Sequence, residues 1–266
     1  MSSTSPFTTK VNDATRWFML CIGILGMVAI ANLQYGWTLF VSPLAKHLNA
    51  ERTAIQIAFT LFILLETWPN FLEAYFVDRF GPKVVVIIGG ILVALAWYLN
   101  SIADSLTMLY IGGIIGGVGA GIVYGTASGS ARKWFPDKRG LAAGLTAMGF
   151  GAGSALTVIP ITNQIAKSGY QSAFLTWGLI QGVVVVICGI LLRAPKPGET
   201  PAAAPAARVQ QAAKDSIPSE MVSTPAFWLL YLMFTMAVTG GLMAVAQLAP
   251  MAIDFKVADV PVSLFG

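Results

Sequence analysis

Residues 106–127 read LTMLYIGGIIGGVGAGIVYGTA, an apolar run without a charged side chain. About 20 helical residues cross the hydrocarbon core of a lipid bilayer, which is about 30 Å thick. No water is available there to pair with backbone N–H and C=O groups, and a helix pairs them within the segment. The run therefore predicts a transmembrane helix.

Similar apolar runs lie on both sides of this segment, at about 17–41, 54–77, 84–103, 141–166, 173–192 and 226–249. Hydrophobic residues make up 56% of the chain and charged residues 11%, whereas soluble domains carry about 25% charged residues. The sequence lacks the alternating segments of about ten residues that build a membrane barrel. We predict an all-α, polytopic transmembrane helical bundle of six spans followed by a seventh.

The polar segments divide the chain into four predicted regions. These are an N-terminal tail (1–16), a six-helix half (17–192), a linker rich in Pro and Ala (193–224) and the start of a second half (225–266). The last region holds span seven and the first residues of span eight, so we expect the chain to lack most of its C-terminal half. Two six-span halves related across the membrane normal are common in transporters.

The basic residues predict the orientation of these spans. Of the 16 Lys and Arg residues, only Lys46, Arg52, Lys167 and Lys256 fall on one side, and the other twelve fall on the opposite side. The positive-inside rule then places the N-terminus and the linker in the cytoplasm, with the spans in the cell's inner (plasma) membrane. The net charge of +4 is thus a topology signal, and we expect no nucleic-acid partner.

Small residues recur along the fourth run. Gly113, Gly117, Gly121 and Gly125 are four residues apart, so they share one helix face. Small residues at this spacing let helices approach closely in membranes. We interpret this stripe as a packing surface.

The loop after the second run reads Asp78-Arg79-Phe80-Gly81-Pro82-Lys83. It resembles the signature loop of the major facilitator superfamily, with Ala74 in place of the first glycine of that signature. The resemblance implies a gate at the cytoplasmic side, in which Asp78 faces basic residues or a helix N-terminus. Its predicted members are Asp78, Arg79, Gly81, Lys83 and Arg139; an ordinary charged turn is the alternative.

Four longer matches narrow the resemblance. Residues 34–39 (QYGWTL), 77–82 (VDRFGP), 121–125 (GIVYG) and 132–142 (RKWFPDKRGLA) are similar to the oxalate/formate antiporter family. That family implies a small organic anion held in an aromatic cavity, here lined by Gln34, Tyr35, Tyr124 and Phe150. For Gln34 and Tyr35, interhelical hydrogen bonds are the alternative interpretation. Phe150 occupies a position at which family members can carry Tyr, and it lacks that hydroxyl. The cationic residues that neutralise a dicarboxylate belong to the second half in this family.

Glu66 is a carboxyl group in the middle of the second apolar run, with Glu73 seven residues later. A charged side chain at mid-bilayer costs roughly 2.5–3.5 kcal/mol on insertion scales. Glu66 must therefore face water or a partner, or carry a proton. Two interpretations stay open, a proton-coupling carboxylate and a hydrogen-bonded packing residue.

The sequence contains no phosphate-binding loop, nucleophile elbow or paired-cysteine motif. Cys21, Cys188 and His47 show no metal-ligand spacing, so we expect no metal, no cofactor and no enzyme activity. Three functions remain: oxalate/formate-type antiport by alternating access, proton-coupled monocarboxylate symport, which Glu66 favours, and a non-transporting membrane fragment.

Overall fold

The structure, a computed structural model, describes residues 13–201 and 218–254. Within these ranges the chain is helical and contains no strand. The helices are α1 (Asp13–Tyr35), α2 (Thr38–His47), α3 (Arg52–Thr67), α4 (Asn70–Ser101), α5 (Leu106–Trp134), α6 (Arg139–Leu191), α7 (Pro218–Val222) and α8 (Pro225–Asp254). The predicted all-α fold is confirmed. Much of the predicted tail and linker, and the predicted start of span eight, lie outside the described residues.

Among the described residues, four stretches are long and apolar enough to cross a membrane: Asp13–Tyr35, Leu72–Ser101, Leu106–Trp134 and Arg139–Leu191. Two helices contain a kink at a glycine with positive φ, Gly81 (φ 79°) in α4 and Gly169 (φ 82°) in α6. Glycine alone adopts this left-handed backbone without steric cost. The kinks fall between the second and third predicted runs and between the fifth and sixth.

Helix α1 begins at Asp13, inside the segment predicted as a tail that ends at residue 16. The second predicted run is not one continuous helix. Helix α3 ends at Thr67 and α4 begins at Asn70, with Trp68 and Pro69 between them. Proline has no N–H to continue the helical hydrogen bonds. The carbonyl of Leu65, four residues earlier, therefore has no helical donor.

The chain divides into two compact units, Met1–Ala202 and Ala203–Gly266. In the first unit, α5 packs along α3 through the glycine stripe. A Cβ at Gly113 would lie 2.5 Å from the Ala58 carbonyl oxygen, and a Cβ at Gly121 would lie 2.6 Å from that of Glu66. The predicted packing role of these two glycines is confirmed.

Helix α6 packs along α1 in the same manner. Gly149 lies against Ile24 and Gly153 against Val28. One turn further on, the Thr157 hydroxyl donates a hydrogen bond to Asn32 Oδ1 at 2.8 Å. Glycine contacts and one interhelical hydrogen bond therefore fix the register of these two helices.

Aromatic side chains pack together in the first unit where α2 contacts the other helices. Phe40 stacks on Phe174 with ring centroids 3.9 Å apart, and Trp97 contacts both rings edge-on. All three are buried. Such rings bury large apolar areas and add pairwise attraction.

A buried arginine joins the start of α1 to the end of α5. Arg16 is 5% exposed and donates from Nε to the Trp134 carbonyl at 3.0 Å. Its guanidinium also pairs with Asp13 at 2.9 Å and with Asp137, and lies 4.4 Å from the Phe135 ring centroid. Buried charges require such pairing because desolvation is expensive.

The segment after α6 is held to the same end of the unit by Arg193. Its carbonyl accepts from Trp134 Nε1 at 3.0 Å, and its guanidinium lies 5.0 Å from that ring. The guanidinium makes two hydrogen bonds to the Glu199 carboxylate, at 2.6 and 3.1 Å. These bonds and the donated Lys196 N–H lower the pKa of Glu199 to about 2.

Candidate functional site

Three of the four predicted cavity residues come together from three helices. The ring centroids of Tyr35 (α1) and Phe150 (α6) are 5.3 Å apart, and those of Phe150 and Tyr124 (α5) are also 5.3 Å apart. Both contacts are edge-to-face, the geometry that aromatic quadrupoles favour. Phe150 is buried, Tyr35 is half-buried and Tyr124 is exposed. We call these three residues the aromatic cluster.

The fourth predicted residue, Gln34, is half-buried and directly precedes Tyr35 on α1. Consecutive residues on a helix point about 100° apart. Gln34 therefore does not share the direction of Tyr35 into the aromatic cluster. Its place in a substrate cavity stays a prediction.

Two carboxyl groups lie beside this cluster in the bundle interior. Glu66 is 8% exposed and Glu73 is 4% exposed. The Tyr35 phenol is close enough to interact electrostatically with Glu66 and with Tyr124, and Glu66 interacts with Glu73. Among the described residues neither glutamate forms an ion pair.

Glu73 points towards the glycine stripe of α5. Its Oε1 lies 2.7 Å from the place that a Cβ of Gly121 would occupy. Both carboxylate oxygens are enclosed, and neither has a hydrogen-bond partner in the part of the chain that the structure describes. No role was predicted for Glu73 from the sequence. Its position seven residues after Glu66, on the same predicted helix face, was a signal that could have identified it.

A cavity of about 650 Å³ opens between α4 and α5. Glu73, Tyr124, Thr126 and Ser130 border it, as do the charged residues Asp78, Arg132 and Lys133. The cavity therefore runs from the edge of the aromatic cluster to the signature loop. Pro195, in the segment after α6, also borders it.

Asp78, Arg79, Gly81 and Lys83 of the predicted gate lie at the Gly81 kink, and Arg139 begins α6. Asp78 pairs with Lys133 at 3.0 Å. Lys133 belongs to the basic loop predicted after the fourth span, which the structure makes the last turn of α5. Arg79 donates to the Tyr75 hydroxyl at 2.9 Å and lies 5.7 Å from the Phe80 ring. Lys83 and Arg139 are exposed. Their part in a gate stays a prediction.

Comparison with known proteins gives a family for this arrangement. The Major Facilitator Superfamily profile matches residues 22–266. The chain is 38% identical over 236 residues to the oxalate:formate antiporter of Oxalobacter formigenes, covering 88% of this chain and 55% of that protein. It is 27% identical over 247 residues to the uncharacterized MFS-type transporter YhjX of Escherichia coli, covering 92% of this chain and 60% of that protein.

A more distant similarity is to human monocarboxylate transporter 11, at 31% identity over 181 residues, covering 65% of this chain and 38% of that protein. This chain thus spans little more than half the length of the two bacterial relatives. The resemblances to the superfamily and to the oxalate/formate antiporter family are both confirmed.

Proposed function

Because the chain belongs to the Major Facilitator Superfamily, and so to a class of multi-pass helical membrane transporters, we propose that it moves small organic carboxylates by antiport. The bacterial relative with 38% identity is an oxalate:formate antiporter. The observation that carries the proposal is the aromatic cluster, in which Tyr35, Tyr124 and Phe150 meet from three helices. The rest of the proposal follows from the chemistry of these rings.

Tyrosine hydroxyls donate hydrogen bonds that a carboxylate accepts. The edges of aromatic rings carry partial positive charge, which favours an anion beside them. Two hydroxyls and three rings can therefore hold one small carboxylate without a full positive charge from this part of the chain. Phe150 contributes its ring and no hydroxyl, which limits the number of donors to the anion.

The proposed transport mechanism is alternating access. Residues 17–192 form one half, residues 193–224 link it to the next, and residues 225–266 begin the second half. With the N-terminus in the cytoplasm of the inner (plasma) membrane, the Asp78–Lys133 pair lies on the cytoplasmic side. Breaking and remaking such an exposed pair costs little, since surface ion pairs contribute about 0–1 kcal/mol.

The test is counterflow in proteoliposomes that carry the purified transporter with both of its halves and are preloaded with oxalate or formate. External radiolabelled substrate is expected to accumulate without a pH gradient. Tyr35→Phe and Tyr124→Phe are each expected to lower the exchange rate about tenfold, the effect of one lost hydrogen bond to a charged group. The exposed Tyr98 provides a matched Tyr→Phe control that should leave the rate unchanged. Exchange unaffected by both cluster variants would contradict the proposal.

Proton-coupled monocarboxylate symport is the second candidate, and the buried Glu66 beside Tyr35 favours it. Burying an ionised carboxylate is costly, so this group can exchange a proton as the pathway opens. The similarity to a monocarboxylate transporter points the same way. Under this candidate, uptake follows an imposed pH gradient and Glu66→Gln abolishes that dependence. If Glu66→Gln keeps the parent pH dependence, the symport candidate fails.

A further inference from the structure

Glu73 is a buried carboxyl group that the proposed transport of carboxylates does not use. It is 4% exposed. Among residues 13–201 and 218–254, neither carboxyl oxygen of Glu73 has a hydrogen-bond partner, and no cation lies within ion-pair distance of it. Burying an ionised carboxylate without a partner is costly, because water no longer solvates the charge. Each such group in a folded protein needs a specific explanation.

A backbone carbonyl oxygen lies beside this carboxyl group, at the contact between α3 and α5. Gly121 has no Cβ, and Glu73 Oε1 lies 2.7 Å from the place that a Cβ would occupy. The carbonyl oxygen of Glu66 lies 2.6 Å from the same place. A carbonyl oxygen only accepts hydrogen bonds, as an ionised carboxylate does, whereas a protonated carboxyl group has an O–H that donates. The two groups therefore repel each other when Glu73 is ionised and attract each other when Glu73 carries a proton.

The charged and titratable groups described around Glu73 do not supply a counter-charge. They are Tyr35 on α1, Glu66 on α3, Asp78 on α4, and Tyr124, Arg132 and Lys133 on α5. The Glu66 carboxyl interacts electrostatically with Glu73, so a negative charge on one disfavours a negative charge on the other. The two basic residues are engaged elsewhere, because Lys133 pairs with Asp78 at 3.0 Å and Arg132 donates from Nε to the Ser128 carbonyl at 3.2 Å.

The cavity between α4 and α5 gives Glu73 a route for proton exchange. Glu73 borders this cavity of about 650 Å³, together with Asp78, Arg132 and Lys133. Those three residues are exposed, so the cavity opens to solvent at the signature loop. One water molecule takes up about 30 Å³ of liquid, so a cavity of this size holds several. Water in the cavity can therefore deliver a proton to Glu73 and remove it.

We propose that Glu73 is a proton-binding site, in which the carboxyl group holds a proton at neutral pH and donates a hydrogen bond to the Glu66 carbonyl. The proton comes from water in the cavity and returns to it. Binding converts an unpaired buried anion into a neutral group with a partner. The Glu66 side chain, on which the symport candidate depends, is a separate carboxyl group. The inference goes beyond the proposed function and does not depend on which anion the protein carries.

The test is infrared difference spectroscopy of the purified protein in nanodiscs at neutral pH, comparing the parent with Glu73→Gln. The C=O stretch of a protonated carboxyl group is separate from the bands of a carboxylate, and it shifts when H₂O is replaced by D₂O. We expect the parent-minus-variant spectrum to show this band at the intensity of one carboxyl group per protein. The matched control is Asp78→Asn, which removes a carboxylate that borders the same cavity but is exposed and paired with Lys133. That variant should keep the whole band.

Glu73→Gln should also keep the fold of the parent. Glutamine is neutral and close in shape to a protonated glutamate, and its amide N–H can donate to the carbonyl in place of the O–H. Its elution on gel filtration and its midpoint of SDS-induced unfolding should therefore match those of the parent. Aggregation of Glu73→Gln would show that the site needs a charge, and it would overturn the inference.

Two spectroscopic results would also overturn the proton-binding site. One is a parent-minus-variant spectrum for Glu73→Gln without the band of a protonated carboxyl group. The other is a band that Glu73→Gln leaves intact and Glu66→Gln removes, which would place the proton on Glu66. Counterflow of the same protein in proteoliposomes separates this inference from the proposed function. Exchange without the Glu73 band defeats the inference alone, and the band without exchange defeats the proposed function alone.

Discussion

Adding one methyl group to the glycine stripe should separate α3 from α5. The change is Gly113→Ala, in the middle of the close packing between these helices. Its Cβ would lie 2.5 Å from the carbonyl oxygen of Ala58 and 3.5 Å from the Cα of the same residue. The obstacle is backbone, which cannot rotate away as a flexible side chain can.

The size of the effect follows from this distance. Ordinary C–H···O contacts have carbon–oxygen distances of about 3.3–3.6 Å, so the helices must move apart locally by about 1 Å. Overpacking of this kind costs typically about 1–3 kcal/mol. The helix propensity of alanine offsets little of this cost, because separated helices in a membrane stay helical. We therefore expect Gly113→Ala to lower the free energy of unfolding by about 1–3 kcal/mol.

The assay is unfolding of purified protein in mixed micelles of dodecylmaltoside and increasing SDS, followed by tryptophan fluorescence. The matched control is Gly144→Ala in α6, where an added Cβ meets nothing within 4 Å. That change should stay within about 0.5 kcal/mol of the parent. Parent stability in Gly113→Ala, or an equal loss in the control, would refute the steric reasoning.

Three further predictions concern polar contacts. Arg16→Ala should lower the free energy of unfolding by about 2–3 kcal/mol in the same titration. This is less than the about 3–5 kcal/mol lost when a fully buried ion pair is broken, because Asp137 is partly exposed. A loss below about 0.5 kcal/mol would contradict this prediction. Thr157→Val removes the hydrogen bond to Asn32 and should cost about 0.6 kcal/mol, at most about 1.7 kcal/mol, with a double-mutant cycle as the check and zero coupling as the contrary result. The guanidinium of Arg193 lowers the pKa of Glu199 to about 2. The contribution of this ion pair to stability is therefore complete above the ordinary glutamate pKa of about 4.3 and is lost as the pH falls through about 2. A carboxyl NMR titration of Glu199 with a midpoint near 4 would contradict the Arg193–Glu199 pair.

Much of the candidate site could be predicted from the sequence, because the resemblance to the oxalate/formate antiporter family implied its cavity residues. Tyr35, Tyr124 and Phe150 were predicted as cavity residues, and the structure brings their rings into contact. Glu66 was recognised because a charge in an apolar run is expensive. Glu73 was passed over, since nothing in a linear pattern shows that its oxygens would be enclosed without a partner.

Arg16 is a second residue whose surroundings the sequence did not predict. Its position at the edge of an apolar run predicted a cationic tail residue, yet the structure buries it against Trp134 and Asp137. Those partners lie more than a hundred residues away along the chain. Contacts over such separations depend on how helices pack, which local residue patterns do not encode.

By itself the sequence determined the helical spans and the small-residue face of α5, because hydropathy and helical periodicity are local properties. It also determined the loops between runs in which the Gly81 and Gly169 kinks fall, but it missed the break at Pro69, which lies inside the second predicted run. Only the tertiary structure decided that the Glu73 carboxylate is enclosed against Gly121 and that Lys133 is the cation paired with Asp78. Both depend on the register between packed helices, and that register is set by close contacts summed over whole helix faces.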